Sequence, residues 1–141
     1  MSPLLRDGLK PSLEFTLIIE PKPKKSPIVT KGGLAITNPQ TRIYQSTLRR
    51  LSLQFKPKKP FEGALSIDTH FIVKAPQRVK SPKEYPIVRP DHDNLTKALL
   101  DPLNGLFWTD DSIIVEHTIR KIYDLVDKRP RIYVAIYELV C

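Results

Sequence analysis

The stretch that decides the fold is DHDNLTKALLDPLNGLFWTDDSIIVEHTIRKIY, residues 91–123, because it joins a helix pattern to a strand pattern. Apolar residues recur in its first half at the three- and four-residue spacing of one helix face: Leu95, Ala98, Leu99 and Leu103. This spacing predicts a helix over residues 94–104, which Pro102 should bend or shorten. Apolar and polar residues then alternate over residues 112–123, which predicts a strand.

Further elements are predicted on either side of this stretch. Alternating or β-branched segments predict strands at residues 13–20, 64–74 and 131–139, and a shorter one at 33–37. Helical spacing predicts a second helix over residues 41–55. The order of these elements indicates one small domain over residues 1–141, an α/β fold in which a mixed, mostly antiparallel sheet packs with two main helices.

The helix predicted at residues 41–55 has two distinct faces. Its predicted core face is formed by the apolar-spaced residues Ile43, Thr47, Leu48, Leu51 and Phe55. The opposite face carries three arginines, Arg42, Arg49 and Arg50.

Composition indicates whether the chain spans a membrane and which redox compartment it suits. The chain lacks an 18-residue apolar run and a secretory signal pattern at its start, so we expect no membrane span. The single cysteine, Cys141, excludes an internal disulfide framework and favours a reducing compartment, with the cytoplasm as the default.

The basic residues are segregated along the chain. Residues 1–60 contain 12 Lys and Arg against 3 Asp and Glu, a net charge of +9, whereas the net charge of the whole chain is +8. The basic excess therefore lies entirely in the first half. Such segregation suggests a polyanionic partner, because each Lys or Arg contact with a phosphate releases counterions. The Pro- and Lys-rich loop at 21–40 is either a basic arm that follows a phosphate backbone or a solvated loop. The candidate phosphate contacts are Lys31, Arg42, Arg49 and Arg50.

Two acidic pairs stand out against this basic background. Asp91 and Asp93 precede the first helix turn, and Asp110 and Asp111 precede the last-but-one strand. In an extended segment residues i and i+2 point the same way, so the first pair can converge, and the helix between the pairs can return the second pair to it. Such a carboxylate cluster would bind a hard cation, typically Mg²⁺, and Lys97 lies one helical turn beyond Asp93.

Both pairs also have a purely structural interpretation. Asp93 or Asn94 is suited to cap the helix, and an Asp-Asp pair before a strand is often a cap or a turn. Capping explains Asp93 without a metal, but it leaves Asp91 unexplained.

The stretch resembles the signature of the RusA family of Holliday junction resolvases, which phages and prophages often carry. The resemblance lies in three ordered motifs: a D-x-D-N-x-x-K motif at residues 91–97, a D-x-L-N-G motif at 101–105 and a D-D-S motif at 110–112. A K-x-Y motif follows at residues 121–123.

The resemblance implies a Mg²⁺-dependent endonuclease that acts as a homodimer on four-way DNA junctions. It implies that Asp91, Asp93 and Asp111 are the essential carboxylates, with Asp110 as an auxiliary metal ligand. It also implies that Lys97 is a catalytic or phosphate-contacting base. By this resemblance Asp101 is a structural residue, and Lys121 is either a DNA contact or a solvent-facing strand lysine.

Two other functions remain open from the sequence. The chain could bind DNA through the same fold without cutting it, or cut other branched DNA such as flaps. The intact acidic motifs and Lys97 favour the resolvase.

Overall fold

A computed structural model of the chain describes residues 10–139, so Cys141 lies outside the described residues. Its main sheet contains four strands: β1 (Leu13–Leu17), β4 (Leu65–Val73), β5 (Ile114–Tyr123) and β6 (Arg131–Glu138). A separate two-stranded hairpin pairs β2 (Ile28–Val29) with β3 (Ala35–Ile36). The two helices are α1 (Pro39–Ser52) and α2 (His92–Leu103). These elements confirm the predicted small α/β fold with two main helices.

The main sheet is mixed, as predicted. Its order is β1-β6-β4-β5, with β6 antiparallel to both β1 and β4 and with β4 parallel to β5. Parallel neighbours need a crossover connection, and α2 lies within the segment that joins β4 to β5. Because α2 returns from the end of β4 to the start of β5, its two ends lie at opposite ends of this strand pair.

Strand β4 is more buried than its alternating sequence predicts. Leu65 and Ile67 are fully buried as expected, but so is the intervening Ser66, and Ile72 on the same face as Ser66 is also buried. The cause is its central position, because β6 and β5 cover its two edges and leave little of the strand in water. The Ser66 hydroxyl finds its partner in the sheet and donates to Glu116 Oε1 at 2.7 Å.

The core face of α1 differs from the predicted one. Its buried residues are Thr41, Tyr44, Leu48 and Ser52, whereas Ile43 is 68% exposed. Tyr44 is buried with its hydroxyl satisfied, donating to Glu20 O at 2.9 Å and accepting from Lys22 N at 3.0 Å. These contacts with a distant segment turn the helix so that Tyr44, rather than Ile43, faces the core.

Pro102 is accommodated in α2 by the neighbouring helix. Proline has no N–H, so the carbonyl of Ala98 loses its usual helix partner. Gln45 Nε2 of α1 donates to Ala98 O at 3.2 Å, and Arg49 Nη1 donates to Pro102 O at 3.2 Å. The helix ends one residue later, at Leu103, as predicted for the Asn104-Gly105 step.

An aromatic cluster fixes the chain just after α2. The ring of Phe15 stacks on those of Phe55 and Phe107, at centroid distances of 5.5 and 4.8 Å. Phe107 and Trp108 are fully buried in the same core. The residues that follow Trp108 are therefore held against the body of the fold.

Candidate active site

The first acidic pair lies at the N-terminal end of α2. Asp91 occupies the N-cap position with an extended backbone, and Asp93 lies in the first helical turn. The segment is extended only as far as Asp91, so the expectations that it stays extended through Asp93 and that Asp93 or Asn94 is the cap are wrong. Acidic residues are favoured at a helix start, where the free N–H groups carry a partial positive charge, and this extends α2 two residues toward the N-terminus.

The carboxylates of this pair are free to bind something else. Both residues are exposed, and the Asp91 side chain makes no capping hydrogen bond. Within residues 10–139, neither carboxylate is in an ion pair or a side-chain hydrogen bond. Capping therefore does not account for Asp91, even though it stands at the cap position.

Lys121 fixes the segment that leads into this pair. Its Nζ donates to Val88 O at 2.7 Å and to Pro90 O at 2.8 Å. These are charge-assisted bonds to the backbone directly before Asp91. The ammonium of Lys121 thus already has intramolecular partners, which a DNA-contacting lysine would not need.

The basic loop that precedes α1 lies beside the first pair. Lys24 N donates to Asn94 O at 3.3 Å, and Lys25 N donates to Thr41 Oγ1 at 2.9 Å. Both lysines line a cavity of about 450 Å³ with Arg89 and Asp91. Burial raises the pKa of the Tyr44 hydroxyl, which anchors this loop, to about 12, so the hydroxyl keeps its proton and remains a donor.

Lys97 and Asp101 follow Asp93 along the exposed side of α2. Lys97 is exposed, and no residue in the described part of the chain pairs with its ammonium. Asp101 accepts from Lys24 Nζ at 3.4 Å and from Gln45 Nε2 at 3.3 Å. Asp101 therefore joins the basic loop and α1 to α2, while Lys97 stays available to a ligand.

The second acidic pair lies beyond the C-terminal end of α2. Asp110 accepts from Ser112 N at 3.0 Å and caps a short 3-10 turn at Asp111–Ile113. Hydrogen bonds from the side chain and backbone of Ser112 hold the pKa of Asp110 below its ordinary value. Asp111 is half-buried and accepts from the indole Nε1 of Trp108 at 2.6 Å. The cap interpretation thus holds for Asp110, and Asp111 is oriented by a buried ring.

The two pairs do not meet within one chain. Gly105 N donates to Trp108 O at 2.8 Å, which keeps the second pair beside the last turn of α2. A helix of 12 residues is roughly 18 Å long, and it separates the two pairs. Among residues 10–139, no group of three or more Asp, Glu, His or Cys side chains could hold a metal ion. The expectation that α2 returns the second pair to the first is wrong for a single chain, because the chain stays at the far end of the helix.

The other candidate phosphate contacts are spread over the surface. Lys31 lies exposed in the turn of the β2–β3 hairpin, and Arg42 and Arg50 are exposed on α1. Arg49 lines a cavity of about 300 Å³ with Arg42 and donates to Pro102 O, which gives it a structural contact.

Lys24 and Lys25 are the site residues that the sequence did not single out. Their signal is the KPKK run at residues 22–25, but every lysine in that loop has the same local pattern. Only the docking of the loop on Asn94 and Thr41 selects the two that line the Asp91 cavity. No helix within residues 10–139 has both the length and the apolar character needed to cross a membrane.

Comparison with known proteins agrees with these features. A family model described as Endodeoxyribonuclease RusA matches residues 19–137, a range that includes both acidic pairs and Lys97. The chain is also similar to the uncharacterized protein YqaN of Bacillus subtilis (strain 168), with 26% identity over 140 residues that cover 90% of this chain and 96% of that protein. The chain therefore belongs to the RusA endodeoxyribonuclease family, whose members resolve Holliday junctions.

Proposed function

We propose that this chain is a Mg²⁺-dependent homodimeric endonuclease that resolves four-way junctions by paired, symmetric nicks at two sites shared between protomers. One observation carries the proposal: each end of α2 presents an acidic pair, and the helix keeps the pairs apart within one chain. A second copy is the simplest source of the missing carboxylates. Each shared site would combine Asp91 and Asp93 of one protomer with the partner's Asp111, and with the partner's Asp110 as an auxiliary.

The available side chains fit a hard divalent cation. All four are carboxylates, the oxygen ligands that Mg²⁺ prefers, and the first pair is exposed and unpaired within the described residues. Bound there, Mg²⁺ would activate water and stabilise charge on the attacking and leaving oxygens of the phosphodiester. The two carboxylates at either end of α2 would bind Mg²⁺ only weakly by themselves, so the proposed site requires the dimer.

Paired nicking follows from two-fold symmetry. In a symmetric dimer, if the first pair of one protomer faces the second pair of the other, then the reverse contact also exists. The dimer then carries two identical sites related by the same axis. A four-way junction has matching symmetry, so the two sites would act on strands of like polarity.

Three lysines are proposed to act on the DNA beside each site. Lys97 has a free ammonium one helical turn from Asp93, and its role is to steady the negative charge that grows on the reacting phosphate. Lys24 and Lys25 line the cavity that contains Asp91. Their ammonium groups contact exposed side chains, those of Asp101 and Gln40, and would exchange these partners for the phosphates that flank the site.

Lys121 is proposed to position Asp91 rather than to bind DNA. Its ammonium is occupied by the carbonyls of Val88 and Pro90, which lie in the segment that carries Asp91. A phosphate contact would require at least one of these bonds to break. Lys121 would thus hold the backbone that carries Asp91 in place.

Subunit mixing tests the shared site. Asp91→Asn and Asp111→Asn should each abolish Mg²⁺-dependent cleavage of a labelled synthetic junction, while Asp91→Asn keeps or strengthens junction binding because it removes a negative charge. When the two variants are co-refolded, each mixed dimer has one intact site. Nicking should return to about a quarter of the wild-type rate, since half of the dimers are mixed and each has one of two sites.

The products and controls separate the alternatives. The rescued dimers should leave singly nicked junctions, because only one site works. If the co-refolded variants stay inactive, the metal ligands of each site come from one chain, and the shared site is wrong. Wild-type protein that binds the junction but never nicks it with Mg²⁺, compared with EDTA, would indicate a DNA-binding protein without catalysis. Flap, fork and duplex substrates run alongside would reveal a preference for other branched DNA.

A further inference from the structure

We infer that the cleft between residues 74–80 and 125–130 binds the sugar–phosphate backbone of a junction arm, through Lys74, Lys80 and Lys128. This inference rests on the proposed function and names a second DNA-contacting surface for it. The three lysines lie in the half of the chain whose charge balance gave no indication of DNA contact.

The cleft has the size and charge for a phosphate backbone. Its volume is about 930 Å³, and Lys74, Lys80 and Lys128 line it together with one acidic residue, Glu20. Its other lining residues are mainly small or apolar, Pro76 and Pro130 among them. Lysines act as compact point charges suited to phosphates without base readout.

Shared lining residues connect the cleft to the candidate active site. A neighbouring cavity of about 190 Å³ shares Glu20 and Lys74 with it and extends to Arg89 and Pro90. The cavity of about 450 Å³ that contains Asp91 shares Arg89 and Pro90 in turn. The three cavities therefore lie side by side along the surface from Asp91 to Lys128, in line for one DNA strand.

The acidic residues of the two loops do not neutralise these lysines. Glu84 pairs with Arg78 at 2.8 Å. In the second loop, Asp124 pairs with Arg131 at 2.6 Å, and Asp127 pairs with Arg129 at 3.0 Å. These three carboxylates are therefore paired with arginines and not with the lysines of the cleft.

The lysines themselves are left for a ligand. Within residues 10–139, none of Lys74, Lys80 and Lys128 has an ion-pair partner, and all three are exposed.

The loops that carry the lysines are held in shape. Val79 is buried, and its N–H donates to Pro76 O at 3.0 Å. Asp124 Oδ1 accepts from the N–H groups of Val126 and Asp127 at 2.9 and 3.0 Å. A phosphate backbone would therefore meet a formed cleft, which lowers the ordering cost of binding.

Single substitutions test the cleft against a matched control. Lys80→Gln and Lys128→Gln should each weaken junction binding about three- to tenfold at moderate salt, and each should reduce the slope of log Kd against log salt by about 0.9. Lys83→Gln is the control, because Lys83 is exposed in the same loop but does not line the cleft. It should leave the slope unchanged.

Arm length supplies the second measurement. As the arms of the synthetic junction are trimmed stepwise, the difference between wild type and Lys128→Gln should vanish once an arm no longer reaches the cleft. An unchanged salt slope in the lysine variants, or a difference that persists on the shortest arms, would overturn the inference. If the wild-type protein cuts no junction at all, the proposed function fails instead, so the two failures are distinguishable.

Discussion

The indole Nε1 of Trp108 donates a 2.6 Å hydrogen bond to Oδ1 of Asp111. Trp108 is fully buried, whereas Asp111 is half-buried. The core therefore orients a carboxylate at the surface through one of its two oxygens. In the proposed site this bond would hold Asp111 in place as a metal ligand.

Trp108→Phe should separate this orienting role from core packing. Phenylalanine keeps an aromatic ring but removes the donor, and a hydrogen bond to a charged group contributes about 1.5–3 kcal/mol. We expect roughly tenfold slower single-turnover cleavage and a higher Mg²⁺ requirement, measured by Mg²⁺ titration. Phe107→Leu is the control, because it should lower the melting temperature while leaving the Mg²⁺ requirement unchanged. Trp108→Phe with an unaltered Mg²⁺ requirement would rule out the orienting role.

Lys121→Met should slow cleavage without weakening DNA binding. The substitution removes the two bonds to Val88 O and Pro90 O while keeping the apolar stem. We expect kcat to fall about tenfold or more, because a small displacement of Asp91 is costly, while Kd and its salt slope are unchanged. Arg120→Gln, at the adjacent exposed position of β5, is the charge-matched control for kcat. If Lys121→Met reduces the slope of log Kd against log salt, Lys121 contacts DNA after all.

Lys97→Ala should reduce the rate of cleavage far more than the affinity for the junction. Its ammonium is free in the described structure and lies next to Asp93, so it is available to the reacting phosphate. Single-turnover rates at saturating protein, together with binding measured without Mg²⁺, separate the two effects. A pure loss of affinity would assign Lys97 to positioning the backbone.

Gln45→Leu should destabilise the protein more when Pro102 is present than when it is replaced. It removes the donor to Ala98 O, at a cost of about 1–2 kcal/mol in the free energy of unfolding. In a Pro102→Ala background, residue 102 regains its N–H and can bond Ala98 O within the helix. The same change should then cost about 1 kcal/mol less, as urea unfolding of the four proteins in a double-mutant cycle would measure. Equal costs in both backgrounds would mean that Gln45 acts through Asp101 alone.

The fold was predictable where local patterns determine it. The helical spacing of Leu95, Ala98 and Leu99 and the period of two in β5 and β6 gave the correct element types, because burial on one face imposes these periods. The start of α2 was placed too late, since His92 and Asp93 are polar and add nothing to the apolar pattern. The favourable interaction of the acidic residues with the partial positive charge of the helix start accounts for that boundary instead.

Long-range contacts explain what the sequence could not predict. The exposure of Ile43 depends on Tyr44 reaching Glu20 and Lys22, a contact that no helical period contains. The separation of Asp91 from Asp111 depends on the parallel pairing of β4 with β5, which makes α2 a crossover. The identity of all four aspartates as candidates was nevertheless visible, because an acidic pair in a basic chain demands a compensating charge.

In the proposed dimer, the crossover by α2 would also make cleavage depend on protein concentration. A lone protomer would carry its two acidic pairs at opposite ends of α2 and no complete site, so it would bind duplex DNA without cutting it. Specific activity would fall as the protein is diluted below its dimer dissociation constant. The separation of the acidic pairs by one helix would thereby prevent a dissociated protomer from cutting genomic DNA.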